Sequence, residues 1–458
     1  MRKNANDRKN KKSFMKWMIE SIGETEWNER RKNFKQRIQV AEEAIDLSSP
    51  IEDQLFKIPE NDIDWYIFAA ELAWDVPQSD SAYSSKRVYP YIMAIGAQAE
   101  RLRKTKGVES VLRKMLGNKS SPENQLFELL TAAHYLKNGY EVEFIPENSI
   151  VWPDGQKRSP DLLVKKKLQM YVECKRAAKQ TKYSQEEEDH WKKLWSILSI
   201  HLLNCAPWNI ADITFHADIH TITGDDLKLA TNIALKNEGL IFQSTAFSLR
   251  LFPINRKGII SHYKANSVRA DSPVQEQLVF GNINSNEKRN IATIAGSIRR
   301  IGEKEDVLNI LIDDVELCVG GQWRCNSRES IEKRSKHFKS LIASAVAQIP
   351  PLLPGVVHVM YETTEGIDVE LDRYNKHIEQ LSAFDAGGKK ILALLLHGIG
   401  YYPRIDDYQW AETVQYFTPI PNIMNMLYAD HLMLGDNSTQ SFENTTHWDQ
   451  DRIGSADK

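Results

Sequence analysis

The hydrophobic and polar positions divide the chain into a helical first quarter, a strand-rich centre and a mixed remainder. Up to about Gly117 the apolar positions recur with helical spacing. They do so in the charged stretch WNERRKNFKQRIQVAEEAI and again in YPYIMAIGAQAERLRKTKGVESVLRKML, with a break at Gly107. In NKSSPENQLFELLTAAHYLKNGYEVEFI, Ser121-Pro122 suits a helix start. Leu126, Leu129, Leu130, Ala133 and Leu136 then form a stripe, and Asn138-Gly139 suits the helix end. YEVEFI alternates as a strand, and DLLVKKKLQMYVECK follows as a hairpin.

Next, YSQEEEDHWKKLWSILSIHLL predicts an amphipathic helix with Trp191, Leu194, Trp195 and Leu198 on one face, and ADITFHADIH a further strand. The order helix, three strands, helix, strand implies a mixed sheet covered by helices, an α/β fold. Residues 221–305 show no regular pattern. Strand and helix patterns then alternate through VLNILIDDV, ESIEKRSKHFKSLIASAVAQI, GVVHVMYE, DVELDRYNKHIEQLSAF and KKILALLLHG. The expected division is a helical region with a basic arm over 1–118, a core over 119–220, an irregular accessory region over 221–305, a C-terminal α/β region over 306–432, and a polar, disordered tail over 433–458.

Composition narrows the class. Hydrophobic residues make up 41% and charged residues 26%, as in an ordinary soluble globular protein. No apolar run approaches the roughly 18 residues of a membrane span. The apolar stretch after the basic start is short and broken by Lys16, against a secretory signal. Cys174, Cys205, Cys318 and Cys325 form no CxxC pair, so the expected home is a reducing cytoplasm. A net charge of −3 excludes nucleic-acid binding by the whole surface and leaves only local patches. One patch is the first forty residues, with 12 Lys/Arg against 5 Asp/Glu, which equally suit a solvated arm.

The hairpin changes the picture most. Strand interiors disfavour Asp, Glu and Lys, yet PDLLVKKKLQMYVECKR carries Asp161, Glu173 and Lys175. A turn centred on Lys167 sets Asp161 across from Glu173. Tyr171, Glu173 and Lys175 then share one face, while Met170, Val172 and Cys174 share the other, which suits a core. Two facing carboxylates repel unless a cation lies between them, and Mg²⁺ accepts such oxygen ligands. Lys175 can then orient a water or offset charge on a phosphate. A cross-strand ion pair on a solvated face is the plainer alternative. Pro153-Asp154 repeats the dipeptide, but Asp154 precedes Gly155 and reads as a turn.

Pro160-Asp161, Glu173-Cys174-Lys175 and the upstream helical Glu128 together resemble the PD-(D/E)XK nuclease superfamily, with its restriction-endonuclease-like fold, over about residues 120–218. The resemblance implies a catalytic set of Glu128, Asp161, Glu173 and Lys175. Asp161 and Glu173, with the Cys174 backbone carbonyl and Glu128, would hold Mg²⁺ or Mn²⁺, and Lys175 would assist the attacking water. It implies a metal-dependent endonuclease acting on nucleic acid, DNA rather than RNA, and an effector role in antiviral defence against phage or foreign DNA. A catalytically silent fold serving nucleic-acid binding or assembly, with a protein partner or a second copy, is the alternative, and an RNA-directed nuclease a third. Elsewhere, GGQWRCNSRES sets Trp323, Arg324 and Arg328 after two glycines, a candidate nucleic-acid contact or a solvated helix face with one buried tryptophan. Arg299 and Arg300 are similarly ambiguous. His190, His337, His358 and His397 lack metal-ligand spacing, and no Walker lysine motif is present.

Overall fold

The computed structural model describes residues 5–43, 62–75, 85–117, 122–152, 155–178, 180–266, 268–269, 273–281, 291–301, 311–403, 408–435 and 444–450. The expected helical first quarter is present as α1 (Ala5–Ile22), α2 (Glu24–Glu43), α3 (Ile63–Asp75), α4 (Ser85–Ala97), α5 (Ala99–Leu102) and α6 (Val108–Gly117). The break falls at Gly107, whose φ of 86° favours glycine, and where a Cβ would lie 2.5 Å from the Phe144 carbonyl oxygen. Phe14, Trp17 and Met18 of α1 are buried at helical spacing against Trp65 and Phe68 of α3.

The centre follows as α7 (Glu123–Lys137), β1 (Glu141–Phe144), β2 (Leu162–Lys165) and β3 (Gln169–Arg176), with Gly139 at φ 81° closing the helix. After α8 (Lys182–Cys205) come β4 (Asn209–Phe215), α9 (Gly224–Ala234), β5 (Ile241–Gln243), β6 (Phe247–Pro253), α10 (Arg256–Ala265), β7 (Val268–Arg269), α11 (Pro273–Phe280), β8 (Ile291–Ile301) and β9 (Leu311–Cys325). The chain ends through α12 (Arg328–Arg334), α13 (Lys339–Gln348), β10 (Gly355–Glu362), α14 (Ile367–Leu381), β11 (Ile391–Pro403), β12 (Tyr408–Phe417) and α15 (Ile423–Leu427).

The strands form two mixed sheets. The first has the order β1-β2-β3-β10-β11-β12, and the second β5-β6-β4-β9-β7 with β8 also paired to β9. This corrects the expected core over 119–220. β4 does not join the hairpin; it runs parallel to β9 in the second sheet. The strand beside β3 is β10, parallel to it, with Val357 opposite Glu173. Every residue of GVVHVMYE is buried, as befits a strand with neighbours on both edges and helices on both faces. The 221–305 region is likewise no irregular appendage, since β5 to β8 belong to the second sheet. The 306–432 block divides: β9 goes to the second sheet and β10 to β12 to the first.

Each sheet is covered on both faces. On the first, Leu126, Phe127 and Leu130 of α7 pack against Met170, Val172 and Cys174. The opposite face sets Tyr171, Val357 and Val359 against Ile342, Ala345 and Val346 of α13. On the second sheet, Trp191, Trp195 and Leu198 of α8 meet Ile213, Leu249 and Trp323. Arg334 links the two units from the end of α12: its Nε donates to Glu365 Oε2 at 2.9 Å and lies 3.3 Å from Glu187 Oε2 on α8. The expected disordered tail is partly corrected. His447 lies 2.7 Å from the hydroxyls of both Thr363 and Thr413, and Trp448 is buried. Residues 436–443 and 451–458 of that tail lie outside the described residues.

Candidate active site

The hairpin fixes the site. Leu162 pairs with Val172, Leu163 with Tyr171 and Val164 with Met170, the register of a turn centred on Lys167. Asp161 therefore arrives just before β2, level with Glu173 on β3. Its backbone is held by the Ile145 N–H, which donates to the Asp161 carbonyl at 2.9 Å. Its side chain is held by the Cys174 N–H, which donates to Oδ2 at 2.7 Å.

The two faces of β3 are as alternation predicts, but the carboxylate face is not solvated. Glu173 is wholly buried on the side of the sheet that α13 covers. Lys175 Nζ lies 2.6 Å from Glu173 Oε1 and keeps partial exposure. Glu173 Oε2 is buried with no hydrogen-bond partner. Arg176, the next residue, binds Glu123 of α7 as an ion pair and donates to Glu362 Oε1 of β10 at 2.9 Å. It thereby pins β3 to its helix and to its parallel neighbour.

Electrostatics join Glu128 to this group. Burial, then the charge of Asp161, pushes the Glu128 carboxyl up to about 8. Burial pushes Asp161 up to about 6, against the Cys174 N–H and Lys175, which favour its charged form. Glu173 is raised well above the usual carboxylate range by burial, then by Asp161, with Glu128 adding to it. Carboxyl groups pushed up together in this way form a site short of positive charge.

Among the described residues no three His, Cys, Asp or Glu side chains converge as a ready-made metal cage. The donors still suit a hard cation: the side-chain donors are carboxylates, Asp161 raises both Glu128 and Glu173, and Glu173 keeps a buried oxygen without a hydrogen bond.

The other expected contacts divide. Trp323 is buried in the second core, 6.0 Å ring to ring from Trp191, so it cannot stack on a base. The glycines before it form no flexible loop; they lie within β9, where a Cβ on Gly321 would sit 2.3 Å from the Trp195 ring. Arg324 Nε donates to Thr214 Oγ1 at 2.8 Å, beside a cavity of about 270 Å³ also lined by Asp212, Ser248, Arg250 and Phe252. Arg328 is exposed and paired with Glu332 at 2.7 Å and Asp372 at 3.3 Å. None of the three adjoins the hairpin. Asp154 and the side chains of Arg299 and Arg300 lie outside the described residues. Among the described residues no helix is long and apolar enough to cross a membrane.

A pH dependence follows from the raised carboxyls. A group whose folded pKa exceeds its unfolded value contributes stability below the unfolded value, and loses it as pH rises through the folded one. For Glu128 that window runs from 4.5 to about 8. The buried histidines His134 and His358 are depressed by burial and act oppositely, penalising the folded chain as pH falls below 6.5. Comparing variants cancels the histidines. Glu128→Gln should gain melting temperature relative to wild type between about pH 5 and pH 8 in chelator. Mg²⁺ should raise the wild-type melting temperature more at the upper end, where the carboxylates are ionised. Parallel pH profiles for the two proteins would remove Glu128 from the cluster. No protein-family model, curated protein or solved structure matches the chain, so the chemistry of the site rests on its own geometry.

Proposed function

We propose that the chain is a metal-dependent nuclease of the PD-(D/E)XK type, hydrolysing phosphodiester bonds of nucleic acid, with DNA ahead of RNA by resemblance alone. The observation that carries this reading is the hairpin register. It sets Asp161 level with the buried Glu173, with Lys175 as the adjoining cation. The order α7, β1, β2, β3, then α13 and β10, supports it. That is helix, three strands, helix, strand, with the whole second sheet inserted between β3 and α13.

Asp161, Glu173 and the Cys174 carbonyl, with Glu128 in support, are the groups that would hold Mg²⁺ or Mn²⁺. A cation bound there supplies Lewis acidity toward a phosphate and a water of lowered pKa. Lys175 adds positive charge beside the carboxylates, orienting the attacking water and offsetting charge on the phosphate oxygens. Burial and the charge of Asp161 raise the Glu128 carboxyl in the metal-free chain, and a cation held beside it would draw it into its charged form. A catalytically silent fold is the second reading, favoured by the absence of a converged metal cage among the described residues. Mg²⁺ and Mn²⁺ titrations with plasmid, linear duplex and RNA in parallel decide between them. The nuclease reading expects metal-dependent cleavage that chelator stops; metal-loaded protein that leaves all three substrates intact refutes it.

A further inference from the structure

The loop leading into Asp161 carries cations that the site above does not use. Between β1 and β2 the chain doubles back on itself, with Val151 bridged to Lys157. The Trp152 N–H donates to the Gln156 carbonyl at 2.9 Å and the Arg158 N–H to the Ile150 carbonyl at 3.1 Å. Ser159 Oγ fastens the base, accepting from the N–H groups of Ser149 at 2.9 Å and Ile150 at 3.2 Å. Ile145 and Ile150 pack into the cluster of Tyr171, Ile342 and Ile349, on the sheet face that carries Glu173.

Two cations meet on one indole at this loop. Trp152 is held by its Nε1–H, which donates to the Arg158 carbonyl at 3.2 Å. The Arg158 guanidinium lies 5.3 Å from the ring centroid and the Lys389 ammonium 4.6 Å. Lys389 reaches in from the turn before β11 and is steadied by donating to the Val346 carbonyl at 2.6 Å. Among the described residues neither cation has a carboxylate partner: Arg158 donates to the Gln156 side-chain oxygen, and Lys389 to that carbonyl. Burial and the charge of Arg158 lower the Lys389 pKa.

The ring partly offsets each cation. It does not remove their mutual repulsion; an anion does. Lys157, exposed on the same loop, extends the positive charge. A phosphodiester backbone suits the place better than an isolated anion, because Arg158 lies three residues before Asp161 on one continuous loop.

We propose that Trp152, Arg158 and Lys389 form a phosphate-binding post that holds the backbone of a nucleic-acid strand leading to Asp161 and Glu173. This rests on the nuclease reading.

The test is binding without chemistry. Fluorescence anisotropy with a labelled DNA oligonucleotide, single-stranded and duplex, is measured in chelator across a salt series. Each phosphate contact contributes about 0.7–0.9 to the slope of log K against log salt. The double variant Arg158→Gln/Lys389→Gln should therefore flatten the slope by about 1.4–1.8 and weaken low-salt binding at least about tenfold. Lys389→Gln alone, which leaves the loop intact, should give half the slope change, and serves if the double variant misfolds. Wild-type protein that binds while folded variants keep its slope overturns the post and leaves the nuclease reading standing. A flattened slope in a protein that never cleaves keeps the post and removes the nuclease. Wild-type protein that does not bind DNA at low salt overturns the post.

Discussion

Asp161→Asn should abolish cleavage, by about three orders of magnitude or more, while the melting temperature holds or rises. The loss should exceed the roughly 10²–10³ of one charge-stabilising donor, because a ligand and its charge go together. Asparagine is the informative replacement. Asp161 Oδ2 accepts the Cys174 N–H at 2.7 Å, and an amide oxygen can accept the same bond. Alanine would leave that N–H without its partner, at a cost of about 1–3 kcal/mol if buried. The charge itself is unfavourable in the metal-free protein, since Asp161 raises both Glu128 and Glu173. Removing it relieves both. Single-turnover cleavage and thermal melting in chelator read the two effects separately. Activity within tenfold of wild type, or loss of cooperative unfolding, would mean that Asp161 serves the hairpin and not the chemistry.

What was legible in the sequence is what is local. Alternation about Lys167 gave the hairpin register, the stripe from Leu126 to Leu136 gave α7, and Gly139 closed it. The strand beside β3 was not legible, because parallel pairing is non-local. Val357 lies opposite Glu173 with the whole second sheet between them in sequence, and consecutive elements usually neighbour each other. That expectation favoured the next strand pattern along the chain, which became β4. Trp323 is the buried tryptophan of the plainer alternative, but what buries it was not legible: Trp191 and Trp195 of a helix far off in sequence, and Gly321 leaving room for the Trp195 ring.

The buried histidines also became neighbours only in the fold. His358 Nδ1 lies 3.0 Å from His397 Nε2, and His397 Nδ1 lies 2.8 Å from Glu412 Oε1. Glu412 in turn accepts the N–H of Leu434 at 2.9 Å, so three strands and the C-terminal segment share one chain of hydrogen bonds. The available signal was a single histidine inside each of two apolar runs, GVVHVMY and ILALLLHG. A lone polar residue in a doubly covered strand needs a buried partner.

Lys175→Ala should lower the chemical rate by about two to three orders of magnitude with nucleic-acid binding largely intact, the usual scale for one charge-stabilising group. Burial pulls its ammonium pKa down, but Glu173 and Asp161 outweigh burial and raise it. The group therefore stays charged through neutral pH and acts by its charge, not as a base. Its loss should remove rate without removing a neutral inflection from the pH profile. Lys175→Arg should not restore the rate, since a planar guanidinium replaces a compact ammonium poorly where Nζ lies 2.6 Å from a buried carboxylate. The same pair predicts a stability effect opposite to that of Asp161→Asn. Without Lys175, Glu173 keeps its burial and loses its counter-charge, so the metal-free variant should melt lower, and more so at about pH 8 than at pH 6. Single-turnover rates at saturating enzyme separate chemistry from binding. A variant that regains the full rate at high enzyme concentration would leave Lys175 only a hold on substrate, and one that melts like wild type at both pH values would break its pairing with Glu173.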